Sequence, residues 1–154
     1  MECQACDSHQ DYRLRIFLSK SGEMELSRQI LAPLSPSFCK AKLCLQEADL
    51  NQSFIYFKTT HRPHLSLGEQ EKIYHNKSGE LLETSIGNLV LKIAGKLYTP
   101  PVRLGILPGI YRQHLLETGQ VEEKVLTVPD LDQAEAIYGC NAVRGLYELQ
   151  VIVL

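Results

Sequence analysis

No stretch of this chain stays apolar for the roughly 20 residues that a bilayer-crossing helix needs, so nothing in it predicts a membrane span. It also lacks any run of Lys and Arg: 16 basic side chains against 18 acidic ones leave a formal charge of -2, without the positive footprint that nucleic acid or an anionic lipid surface requires. A small molecule or another protein is the expected partner. The first ten residues are polar in place of a signal-like apolar stretch, which points to the cytoplasm. A disulfide framework is missing too, because the five cysteines are odd in number and irregularly spaced, and in a reducing compartment they stay thiols. Repeats and low-complexity tracts are absent. What remains is 154 residues, the size of one domain able to remove roughly two thirds of its surface from water.

Two spacings have metal potential. Cys3 and Cys6 form a C-x2-C pair that Cys39 and Cys44 could complete as a four-thiolate zinc site, although structural zinc uses tight paired knuckles. Cys39 and Cys44 instead straddle an alternating segment that suits buried thiols. His61 and His64 have an H-x2-H spacing with no carboxylate fixed beside them, and a loop carrying two histidines is the plainer reading.

Period-two alternation of Tyr12, Leu14, Ile16 and Leu18 against Arg13 and Arg15 predicts a half-buried strand, with a turn at Ser21 and Gly22 and a return strand over 24–30. Ala41, Leu43 and Leu45 alternate with Lys40 and Lys42 as a third strand, and the short apolar run Phe54 to Phe57 reads as a strand ending in Lys58. Hairpins are expected over 73–84, closed by Lys77, Ser78 and Gly79, and over 89–98 around Ala94 and Gly95. Pro108 at a first helical position and Gly119 as terminator bound a helix over about 109–118. A second short helix begins near Pro129, and strands over 136–140 and 146–154 follow. Many strands with two or three short helices predict an α+β domain with a mostly antiparallel sheet curled towards a barrel. Fold class alone separates no enzyme from a binding module.

Four stretches, taken in order, resemble the class IV aminotransferase (fold-type IV) family, especially its aminodeoxychorismate lyase branch. They are Phe57-Lys58-Thr59-Thr60-His61-Arg62, Leu82-Glu83-Thr84-Ser85-Ile86-Gly87-Asn88-Leu89, Tyr98-Thr99-Pro100-Pro101 through Gly105-Ile106-Leu107-Pro108-Gly109-Ile110-Tyr111-Arg112, and Cys140-Asn141-Ala142-Val143-Arg144-Gly145. The resemblance runs from about Tyr12 to the C-terminus. It implies the pseudo-barrel large domain of D-amino acid aminotransferase-like enzymes over 12–154, residues 1–11 being linker-like or disordered, and pyridoxal 5'-phosphate as cofactor. It further implies a small-molecule substrate, a homodimer, and elimination of pyruvate from 4-amino-4-deoxychorismate to leave 4-aminobenzoate for folate synthesis. Branched-chain and D-amino acid transaminases would use the same machinery.

The resemblance also distributes roles, each with a chemical reason. Lys58 becomes the imine-forming lysine, whose free amine attacks the cofactor aldehyde and later moves the proton at the substrate α-carbon. Glu83 becomes the carboxylate that keeps the pyridine nitrogen protonated, so that the ring draws in electrons. Backbone amides of Ile110 and Tyr111, after Gly109, would hold the phosphate at a helix start, with Asn141 and Ala142 closing the cup. Tyr111 stands where the family often has Thr. Arg62 and Arg144 could meet a substrate carboxylate in a bidentate way and stay outside the expected site. The chain has no counterpart of the family's smaller N-terminal domain, and its 62–73 stretch is short. It therefore reads as part of a longer protein or as a remnant, weak in cofactor binding by itself, with an aminodeoxychorismate synthase domain as a plausible neighbour and a non-catalytic dimerisation or docking role as the competing reading.

Overall fold

The computed structural model describes residues 10–47, 49–66 and 68–152. Cys3 and Cys6, residues 1–9 of the expected linker and the last two residues of the expected final strand lie outside that range. The chain divides into two units, one reaching Leu34 and the other starting at Ser35.

In the first unit, β1 (Tyr12–Leu18) and β2 (Met24–Ile30) form an antiparallel hairpin. Gly22, at φ 87°, takes the left-handed turn conformation that a side chain disfavours, and the Ser19 hydroxyl accepts the Glu23 N–H. Facing pairs share a side of the ribbon, so Tyr12/Ile30, Ile16/Leu26 and Leu18/Met24 build one apolar face, with the Arg28 guanidinium over the Tyr12 ring. That face is open: Leu14, Ile16, Leu18, Met24, Leu26 and Ile30 are each more than half exposed.

The second unit contains β3 (Lys40–Leu45), β4 (Lys72–His75), β5 (Leu81–Thr84), β6 (Asn88–Ile93), β7 (Lys96–Thr99), α1 (Ile110–Glu117), β8 (Glu122–Glu123), α2 (Asp130–Gln133), β9 (Ala136–Asn141) and β10 (Gly145–Val151). Its sheet runs β5-β4-β3-β10-β9-β6-β7-β8, and a further β5–β6 pairing closes the first six of these strands into a ring. The closing contact is the single pair Glu83↔Asn88. Most pairings are antiparallel, whereas β3 pairs in parallel with both β10 and β4, and β7 with β8. The fold is thus α+β with few helices and a small barrel-like sheet, as the strand and helix pattern predicts.

Strand β6 is buried on both faces: Leu89, Val90 and Leu91 are fully enclosed. Val90 packs with Leu115 of α1, Val121 and Cys140, and each such side chain taken from water contributes roughly 1.5–3 kcal/mol. A second cluster joins Tyr74, Leu82 and Ile106. The expected strand before Lys58 is corrected: residues Ser53–Ile55 form a 3-10 turn, Ile55 is buried, and Phe57 is exposed. The reason lies in the sheet, since β3 is flanked by β10 and β4, and β4 by β3 and β5, so the ring offers no free edge there. The Asp49 carboxylate holds the loop by accepting from the Asn51 backbone N–H and the Asn51 and Gln52 side chains. Among the described residues no helix is long and apolar enough to cross a membrane.

Candidate functional site

Glu83 ends up inside because of strand alternation. Its neighbour Leu82 turns into the Tyr74–Ile106 cluster, so the next side chain on β5 points to the opposite face. The Glu83 side chain is 2% exposed. One carboxylate oxygen, Oε1, accepts from the Arg62 guanidinium at 3.2 Å, and Oε2 accepts the Leu107 backbone N–H at 3.4 Å. Burial pushes this acid up from 4.5 to about 7, although Arg62, the Leu107 amide and the Lys58 charge all oppose the rise. A carboxyl group so placed still lacks part of the positive charge that would offset its desolvation.

Lys58 follows the 3-10 turn in an exposed loop segment. Its positive charge favours the ionised form of Glu83, as the smallest of the influences on that acid. Arg62, set aside on sequence grounds, is the direct partner of Glu83. Beside it, the ring of Phe54 stacks on His64 and meets His61 edge-on. Both His64 ring nitrogens are buried without a hydrogen-bond partner. Burial pulls this imidazole below its usual range, with Arg62 and His61 adding to the effect.

The segment after Leu107 brings a helix start to the same region. Gly109 is the residue before α1, in extended conformation and with no side chain capping the helix, so the first amides of the helix lack partners within it. A side chain at Gly109 would have to displace Asn88, since a Cβ there would stand 2.1 Å from Asn88 Oδ1. Asn88 Nδ2 donates to the Leu107 carbonyl at 2.8 Å, so the barrel-closing residue also anchors the approach to the helix. Ile110 is exposed and Tyr111 half-buried. The Tyr111 hydroxyl lies 3.3 Å from where a Cβ on Gly145 would be, which joins α1 to the 141–145 turn. In that turn Asn141 Oδ1 accepts the Val143 and Arg144 N–H groups, while Nδ2 donates to the Ile86 carbonyl. Asn141 thus shapes the turn with its side chain, and Ala142 is exposed at its tip. Glu83, Gly109, Tyr111 and Asn141 come together through Asn88 and Ile86.

With this geometry in hand, comparison with known proteins decides the family. The model of the amino-transferase class IV family matches residues 5–152. The chain belongs to that family. The aminodeoxychorismate lyase of Saccharomyces cerevisiae is 26% identical over 192 aligned positions, covering 90% of this chain and 51% of that protein. A putative amino-acid aminotransferase from Mesorhizobium loti superposes with a TM-score of 0.80 at 29% identity, over 92% of this chain and 73% of the other. A putative 4-amino-4-deoxychorismate lyase from Haemophilus somnus does so with a TM-score of 0.67 at 25% identity, over 88% and 68%. The chain spans about half the length of the curated relatives it matches, or somewhat less.

The family is pyridoxal-phosphate-dependent, and the residues present fit that cofactor. A buried carboxylate short of positive charge suits a protonated ring nitrogen. A helix start without a side-chain cap, reached over a glycine where a Cβ would have to displace Asn88, suits a phosphate. Among the described residues no group of three or more His, Cys, Asp and Glu that could hold a metal ion assembles; Cys39 and Cys44 are half-buried thiols, and Cys3 and Cys6 lie outside the described residues. Arg62 could not have been picked from its own surroundings, because its partner lies 21 positions away.

Proposed function

We propose that this chain is the cofactor-binding part of a pyridoxal-phosphate enzyme that eliminates pyruvate from 4-amino-4-deoxychorismate to give 4-aminobenzoate. The observation that carries this reading is Glu83, a carboxylate buried to 2% exposure beside Arg62 and within electrostatic reach of Lys58. The cofactor, when bound, supplies an electron-accepting ring. Lys58 would hold the cofactor through its amine, and that amine, once displaced by the amine of the substrate, would take the proton from the carbon bearing the substrate nitrogen. Glu83 holds a proton on the ring nitrogen. Gly109 lets the Ile110 and Tyr111 amides approach the phosphate, and the turn of Asn141 and Ala142 closes over it.

The lyase assignment draws on the similarity to the yeast lyase along 90% of the chain. An amino-acid aminotransferase is the second reading, favoured by the Mesorhizobium loti structure. A homodimer and an adjoining synthase domain belong to the same proposal, with residues 12–154 as the cofactor domain. A non-catalytic dimerisation or docking domain is the remaining alternative.

The test is optical and then chemical. Purified chain mixed with pyridoxal 5'-phosphate is expected to develop a near-visible band that borohydride fixes onto the peptide containing Lys58. A band unchanged in Lys58→Ala, or no band at all, removes the assignment. Supplied with 4-amino-4-deoxychorismate, the lyase releases 4-aminobenzoate and pyruvate with no added keto acid, whereas turnover that requires a keto acid identifies a transaminase.

A further inference from the structure

Glu71 is a fully buried acid that the proposed chemistry does not use. It enters the barrel just before β4, and both of its carboxyl oxygens are engaged. Oε1 accepts the Ser85 backbone N–H at 2.8 Å and the Lys72 N–H at 3.3 Å, and Oε2 accepts from the Tyr147 hydroxyl at 3.2 Å. Lys72 N–H also donates to Ser85 Oγ at 3.1 Å. The tyrosine comes from β10 on the other side of the ring of strands, and room has been left for it. Its cross-strand partner is Gly139, where a Cβ would stand 2.4 Å from the Tyr147 ring, and a Cβ on Gly87 would meet the same hydroxyl at 3.1 Å and the Cys140 carbonyl at 2.5 Å.

We propose that Glu71 is a positioning residue: with Tyr147 it clasps the turn over 84–87, a segment from which Glu83, the approach to Gly109 and the Asn141 turn are aimed. The proposal rests on the cofactor reading above for its functional consequence and on geometry alone for the clasp. Three connections leave this turn. Glu83 precedes it directly. Asn88 follows it and holds the Leu107 carbonyl ahead of Gly109. Ile86, at its tip, gives its carbonyl to Asn141. Thr84 closes the turn locally, its hydroxyl accepting the Gly87 N–H and donating to the Gly87 carbonyl, but nothing in that local bond orients the turn within the barrel. The Ser85 N–H donates to the Lys72 carbonyl on β4 at 3.1 Å, and the Glu71 carboxyl strengthens that tie and adds one to β10 through Tyr147. Removing the carboxyl leaves the buried Tyr147 hydroxyl without its acceptor and the Ser85 N–H with the Lys72 carbonyl alone, so the turn would relax towards other partners.

Three substitutions test this. Glu71→Leu deletes the clasp, Glu71→Gln keeps an acceptor for Ser85 and a polar group for Tyr147, and Tyr147→Phe removes a single hydroxyl. In cofactor-free protein, amide hydrogen exchange at 85–88 is expected to accelerate by about tenfold or more in Glu71→Leu, as loss of a buried hydrogen bond implies. The pyridoxal 5'-phosphate dissociation constant should rise by a similar factor, and Glu71→Gln should restore both to near the parent values. If Glu71→Leu does not fold, Tyr147→Phe carries the test, with the same direction and a smaller size. A fall in thermal midpoint with exchange at 85–88 unchanged overturns the clasp, as does a Gln variant no better than Leu. Accelerated exchange in a chain whose parent form binds no pyridoxal 5'-phosphate leaves the clasp standing, overturns its role in cofactor positioning, and assigns that failure to the functional reading.

Discussion

Glu83→Gln should change how stability depends on pH more than it changes stability at any one pH. In the folded chain this acid titrates near 7, against 4.5 for the group at rest. Between those values the unfolded chain has released the proton and the folded chain still holds it. Stability contributed by this site is therefore full below about 4.5 and is lost as pH rises towards 7, at about 1.4 kcal/mol for each pH unit. Over the whole interval from 4.5 to about 7 the loss comes to about 3 kcal/mol. Glutamine cannot ionise, so the variant lacks this slope. Urea denaturation of both proteins at several pH values between 4 and 8 gives the measurement, and the difference between them cancels contributions from other titrating groups that the substitution leaves alone. Glu71, raised by burial, slopes the same way, and His64, lowered by burial, slopes the other way by losing stability as pH falls below its usual range. The stability of the parent relative to Glu83→Gln should fall by about 3 kcal/mol across the interval and then level off. A difference that is flat, or that grows with pH, refutes the account of Glu83 as a desolvated acid.

Further outcomes follow from single contacts. Arg62→Met removes the charge that most strongly opposes the rise in Glu83, so the alkaline end of that stability loss should move to higher pH in the same urea series; an unmoved profile means that the ion pair does not form in solution. Lys58→Ala should leave the free energy of unfolding within about 0.5 kcal/mol of the parent, as expected for an exposed position, while abolishing borohydride-fixed cofactor by mass spectrometry. Gly109→Ala forces a methyl group against Asn88, at a cost of about 1–3 kcal/mol in denaturation, and should weaken phosphate and pyridoxal 5'-phosphate binding together in a fluorescence titration; unchanged affinity for both removes the helix start from the site.

Several parts of this protein were decided locally. Alternation of apolar and polar side chains set β1, β2 and β3, and glycines at 22, 79 and 95 marked hairpin turns that do adopt left-handed φ. The helix expected from about 109 begins at Ile110, so Pro108 stands two residues ahead of it and not at its first helical position. The four motif stretches carried the family resemblance, and with it the proposal of Lys58, Glu83, Gly109 and Asn141 as site residues. Tertiary structure decided the rest. The ring closes through one β5–β6 pair, β3 lies parallel to both of its neighbours, and the apolar run before Lys58 forms a 3-10 turn, β3 and β4 each having a strand on both sides already. Arg62 meets Glu83 across 21 residues and Tyr147 meets Glu71 across 76. The physical reason is that periodicity and turn chemistry depend on a residue and its near neighbours. Burial, ion pairing and the titration of a carboxyl group depend on what the folded chain brings alongside from far away.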